Sequence, residues 1–71
     1  MKVSHFFVFD ALQRLLVQTP TPTIEQIAEQ TGYDPQTVRR ALQNLENEGV
    51  IRRERETTHP GRPYRYQVMV R

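Results

Sequence analysis

Residues 31–49, TGYDPQTVRRALQNLENEG, constrain this chain more than any other stretch. Asp34 suits an N-cap, because its carboxylate can accept from the free backbone N–H groups of a first helical turn. Pro35 then falls at the first helical position, where its missing N–H costs nothing and its fixed φ already fits. Gly49 stands where the chain must leave the helix through a left-handed conformation, which glycine takes without strain. Between these stops Val38, Ala41, Leu42 and Leu45 recur at the spacing of one helical face. A helix over about 35–48 is predicted, roughly 14 residues and so about 21 Å long.

The opposite face of that helix carries chemistry. At about 100° per residue from Val38, the side chains of Gln36, Arg40, Gln43 and Asn47 point away from the core. Arg39 flanks them on one side, Thr37 and Asn44 on the other. Arginine forks and Gln or Asn amides match the major-groove edges of guanine and adenine. The same residue types also make an ordinary solvated surface, so this face alone does not decide.

Two helices precede it. The first is expected over about 4–17, with Ser4 as N-cap and Phe6, Phe9, Leu12, Leu15 and Leu16 as its buried stripe. Phe7 and Val8 fall outside that stripe and offer a contact for a second copy, since exposed apolar patches mark interfaces. His5 reads as a surface or capping histidine. QTPTP at 18–22 ends the helix and leaves at best a very short edge strand. Thr23 and Gln26 then make a capping box for a helix over about 24–30, with Ile24, Ile27 and Ala28 inward and Glu25 and Glu29 outward. Gly32 allows the tight turn that follows, and Tyr33 fills the angle between the helices.

After Gly49 the period changes to two. Val50–Glu56 and Tyr64–Val70 read as strands joined by the turn residues TTHPGRP at 57–63, giving a hairpin over about 50–70. Tyr64, Tyr66, Val68 and Val70 alternate with Arg65, Gln67, Met69 and Arg71, placing the first four inward. His59 and Arg62 stand at the tip, with Arg53, Arg55 and Arg65 on the flanks.

Composition narrows the function. A chain of 71 residues, 37% hydrophobic, supports one small domain with a small core. It has no cysteine, which removes disulfides and thiolate chemistry and suits a cytoplasmic location. No apolar run approaches the ~20 residues of a membrane span, and Asp10 interrupts the one run that resembles a signal peptide. Residues 1–48 carry four basic and six acidic side chains; residues 49–71 carry six arginines and two glutamates. Positive charge gathered at one end favours an anionic partner, nucleic acid first. The two histidines lie in different elements, and no carboxylate pair, phosphate loop or metal spacing occurs. An enzyme, a cofactor, a metal site and a small-molecule effector pocket are therefore not expected.

Three helices followed by a basic hairpin make a mainly α fold with a small β-hairpin, the arrangement of the winged helix-turn-helix domain. The segment IEQIAEQTGYDPQTVRRALQNLENEGVIRRE resembles that family's second helix, turn, third helix and strand, and GRPYRY resembles its wing-closing stretch. The resemblance implies that the 35–48 helix enters the major groove of double-stranded DNA. Gln36, Thr37, Arg39, Arg40 and Gln43 would then meet base edges or nearby phosphates. Asn44 would join them, and the wing, with Arg53, Arg55, His59, Arg62 and Arg65, would follow the backbone or minor groove. A small, nucleoid-associated transcriptional regulator is the leading expectation. The alternatives are a protein-interaction module working through Phe7, Val8 and the Glu25–Glu29 surface, and single-strand binding with Tyr64 and Tyr66 as stacking platforms.

Overall fold

Two glycines set the course of the chain. Gly32 and Gly49 have φ of +80° and +77°, and a Cβ at either would meet no atom within 4 Å. Space is open at both; only the backbone angle demands glycine. The computed structural model describes residues 2–55 and 64–69. It contains α1 (Val3–Leu16), α2 (Ile24–Thr31), α3 (Pro35–Asn47), β1 (Ile51–Arg55) and β2 (Tyr64–Val68). The strands form an antiparallel pair in which Ile51 faces Val68, Arg53 faces Tyr66 and Arg55 faces Tyr64. The hairpin tip, with His59, Pro60, Gly61, Arg62 and Pro63, and the inward position expected for Val70 lie outside the described residues.

Local chemistry accounts for α2. The Gln26 N–H donates to Thr23 Oγ1 at 3.1 Å and the Thr23 N–H donates to Gln26 Oε1 at 2.8 Å, closing the capping box. At its other end the Gly32 N–H reaches the Ala28 carbonyl at 2.8 Å. α3 begins at Pro35 with Asp34 at the N-cap position and buries Val38, Ala41, Leu42 and Leu45, but the Asp34 side chain makes no capping hydrogen bond to the backbone, because it takes the Thr37 hydroxyl instead. Its end passes through Gly49, whose N–H donates to the Glu46 carbonyl, and Val50, whose N–H donates to Leu45.

Among the described residues, the inner face of α3 supplies four of the ten that make the core. The others are Val8, Ala11 and Leu12 of α1, Ile27 of α2, Ile51 of β1 and Tyr66 of β2. Tyr33 packs against this cluster from the turn, half-buried.

α1 differs from expectation in its start and in its rotation. It begins at Val3, with Lys2 at the N-cap position making no side-chain cap, so Ser4 lies inside the first turn. Its buried line is His5, Val8, Ala11 and Leu12, while Phe9, Leu15 and Leu16 pack at the margin. Phe6 is two residues from Val8, hence nearly opposite it around the helix, and remains 57% exposed. The physical reason is size: α1 meets both α2 and α3, and Val8 and Ala11 allow a closer approach than phenylalanines would. Val8 is fully buried, so the contact for a second copy expected at Phe7 and Val8 loses one of its two members. His5, expected at the surface, is 8% exposed.

The proline segment forms no strand. It does hold the sheet: the Tyr66 N–H donates to the Pro20 carbonyl at 3.2 Å, and Thr21 is buried. Tyr64, expected inward with Tyr66, lies at the outer end of the hairpin face and is 37% exposed.

The rotation of α1 can be tested with two truncations. Leu12→Ala should cost about 2–5 kcal/mol, a large part of the stability of so small a domain. Phe6→Ala should change stability by no more than about 0.5 kcal/mol. Urea unfolding followed by circular dichroism measures both; similar losses would place Phe6 in the core.

Candidate nucleic-acid interface

The N-terminus of α3 is built around Asp34. The Thr37 hydroxyl donates to Asp34 Oδ1 at 2.5 Å. That hydrogen bond is the main reason the Asp34 carboxyl lies below its ordinary range, with weaker support from backbone N–H groups of the first turn. Thr37 is thus committed to the helix start and is half-buried there. Gln36, Arg39, Arg40, Gln43 and Asn47 are exposed along the outer face. Glu46, the single acidic residue of α3, turns instead toward the hairpin.

Asn44 sits on the α1 side of α3. Its Nδ2 lies 3.4 Å from Nε2 of His5, whose Nδ1 is buried without a hydrogen-bond partner among the described residues. No local pattern marks this pair, whose members stand 39 positions apart in the chain.

The hairpin divides its arginines between two faces. Arg53 and Arg55 share the face of Ile51, Tyr64 and Tyr66, whereas Arg65 shares the other with Arg52, Glu54 and Gln67. On the first face Arg53 turns back to α3. Its Nε and Nη2 stand 3.2 and 3.0 Å from Glu46 Oε1, and Nη2 donates to Gln43 Oε1 at 3.3 Å. Its Cζ lies 4.9 Å from the centre of the Tyr64 ring, a cation–π contact. Burial opposes the charge on Arg53, but the hydrogen bond and charge of Glu46, with Tyr66, outweigh it and raise its pKa. Tyr66 is shifted up as well, chiefly by burial of its phenol. Arg55 and Arg65 are exposed. His59 and Arg62 lie outside the described residues.

A cleft of about 470 Å³ opens between the start of α2, α3 and the hairpin, with Thr23, Glu25, Arg39, Gln43, Arg53 and Tyr64 among its walls. A hollow of this size was not expected from so short a chain. It joins the outer face of α3 through Arg39 and Gln43, so its chemistry is continuous with that face. Among the described residues no group of three His, Cys, Asp or Glu side chains could hold a metal ion. No helix among them is long and apolar enough to cross a membrane.

A helix, a tight turn, a second helix with a polar outer face and an antiparallel hairpin make up a winged helix-turn-helix. The family model described as winged helix-turn-helix DNA-binding matches residues 12–52, more than half of the chain, and the chain belongs to that family. The match runs from within α1 to the start of β1, so it includes the whole outer face of α3 and leaves β2 to the structure. No curated protein and no solved structure matches the chain.

The Asp34–Thr37 bond yields a signed pH effect. Replacing Thr37 by Val should raise the Asp34 pKa toward the ordinary value of about 3.9, as read by NMR titration of its carboxyl carbon. A depressed folded pKa contributes stability above the unfolded value, and the contribution is lost as pH falls through the folded one. Wild type should therefore lose more stability than Thr37→Val on acidification from about pH 5 to pH 2.

Proposed function

We propose that this chain is a small transcriptional regulator that binds double-stranded DNA sequence-specifically, with α3 in the major groove. The observation that carries this reading is the outer face of α3: Gln36, Arg39, Arg40 and Gln43 are all exposed, and the one carboxylate of the helix, Glu46, is paired with Arg53 of the hairpin. That face lies within the segment matched by the DNA-binding family model.

In this reading the arginines supply affinity by displacing counterions from phosphates. Arg40, opposite the core stripe, reads guanine through its fork; Gln36 and Gln43 read adenine through their amides. Arg39, exposed beside the cleft, contacts phosphate. Arg62 and His59 of the wing, with Arg55 and Arg65, follow the backbone or the adjacent minor groove.

A second reading, a protein-interaction module or a homodimer, rests on the outward side of α1. Val3, Phe6 and Phe7 are exposed there, and the two rings meet edge to face at 5.9 Å. Its working face is Phe6 and Phe7, since Val8 is buried.

Fluorescence anisotropy on a selected site and on a random duplex, over a range of salt, separates these readings. Binding to both, falling steeply with log salt, supports the DNA reading. Arg40→Ala should cost about 1–3 kcal/mol on the selected site and little on random DNA. Arg62→Ala should weaken both alike and reduce the salt slope by about 1. Absence of binding at low salt, with mass rising with concentration, would replace the DNA reading by the α1 interface.

A further inference from the structure

We infer that Arg53 is a positioning residue that orients the amide of Gln43 for base recognition, rather than a phosphate ligand. The inference rests on the DNA reading of α3 and adds to it the part that selects a base at one step.

The geometry begins with the asymmetry of hydrogen-bonding groups. A guanidinium has five donors and no acceptor, while a Gln amide has one donor end and one acceptor end. Arg53 Nη2 lies 3.3 Å from the Gln43 amide. Only the carbonyl oxygen of Gln43 can face it; the NH₂ group would be repelled. The other end is fixed as well, because Gln43 Nε2 donates to Asn47 Oδ1 at 3.2 Å, one helical turn away. Gln43 is therefore held at both ends, carbonyl toward the hairpin and NH₂ toward the end of α3.

Arg53 is itself well anchored. Glu46 takes two of its donors, the Tyr64 ring covers it, and its side chain is 23% exposed. An arginine meant to reach a phosphate would extend into solvent; this one lies against α3 with its charge already matched.

The held amide keeps what recognition requires. One lone pair on Gln43 Oε1 and one hydrogen on Nε2 stay available, and these are the two groups that meet adenine N6 and N7. Their order along the groove is set by Arg53, so adenine is accepted in one orientation of the base pair. An amide free to rotate would accept either hydrogen-bonding pattern and discriminate less.

The test compares wild type, Arg53→Gln and Gln43→Ala by selection from a randomised duplex and by salt titration. Gln43→Ala marks the base step concerned. Wild type should prefer one base there by on the order of tenfold or more, and Arg53→Gln should lower that preference below about threefold while sparing other steps. The salt slope of Arg53→Gln should equal that of wild type. A slope lower by about 1, with all sequences weakened alike, would make Arg53 a phosphate ligand and overturn the inference.

A measurement without DNA separates failure of this inference from failure of the DNA reading. In the free protein the Gln43 side-chain NH₂ should be rigid by ¹⁵N relaxation and become mobile in Arg53→Gln. Equal order in both would overturn the positioning role whatever the protein binds. If Arg53→Gln does not fold, Glu46→Gln gives the same two tests. It keeps Arg53 in place but weakens its anchor, and unchanged amide order and base preference would again overturn the inference.

Discussion

One helix has to be buried and displayed at the same time, and the rest of the fold follows from that requirement. α3 presses Val38, Ala41, Leu42 and Leu45 into the core, to which α1, α2 and both strands each contribute. Because a helix has two faces, burying that stripe turns Gln36, Arg40 and Gln43 outward with no further instruction. The core is too small for any element to be spared. A loss on the inner face would therefore disturb the orientation of the outer one.

The hairpin contributes through chemistry more than through area. Ile51 and Tyr66 enter the core, but the closer link to α3 is polar, running from Glu46 through Arg53 to Gln43 and on to Asn47. Charge-assisted bonds of this kind are directional, so they fix an angle where apolar contacts would tolerate sliding. Helix and hairpin thus meet in one defined geometry.

What could be read from the chain alone divides along the range of the interactions. Both ends of α2 and α3 are set by neighbours within four residues, namely Thr23 with Gln26, Asp34 with Pro35, and the two glycines, and the observed bounds lie within a residue of those expected. α1 was harder because it is apolar nearly all round: its period allowed a stripe through Phe6 as easily as one through Val8. Only the tight fit against two other helices selects the smaller residues. The outer face of α3 was legible from spacing, but the partners of Asn44 and Arg53 were not. Each answers to a partner brought near by folding, His5 and Glu46, and no local pattern marks either pair.

The bond from Tyr66 to Pro20 bears on how this molecule behaves among its own kind. A two-stranded ribbon exposes rows of unpaired amides on both sides, an invitation to further strands. Here one side of β2 is met by a segment that accepts through the Pro20 carbonyl, while neither Pro20 nor Pro22 has an N–H with which to continue the ladder. The other side belongs to β1, where Arg52, Arg53, Glu54 and Arg55 follow one another and charge discourages stacking. The β2 side of the smallest element of the fold is thereby a poor template for a further strand.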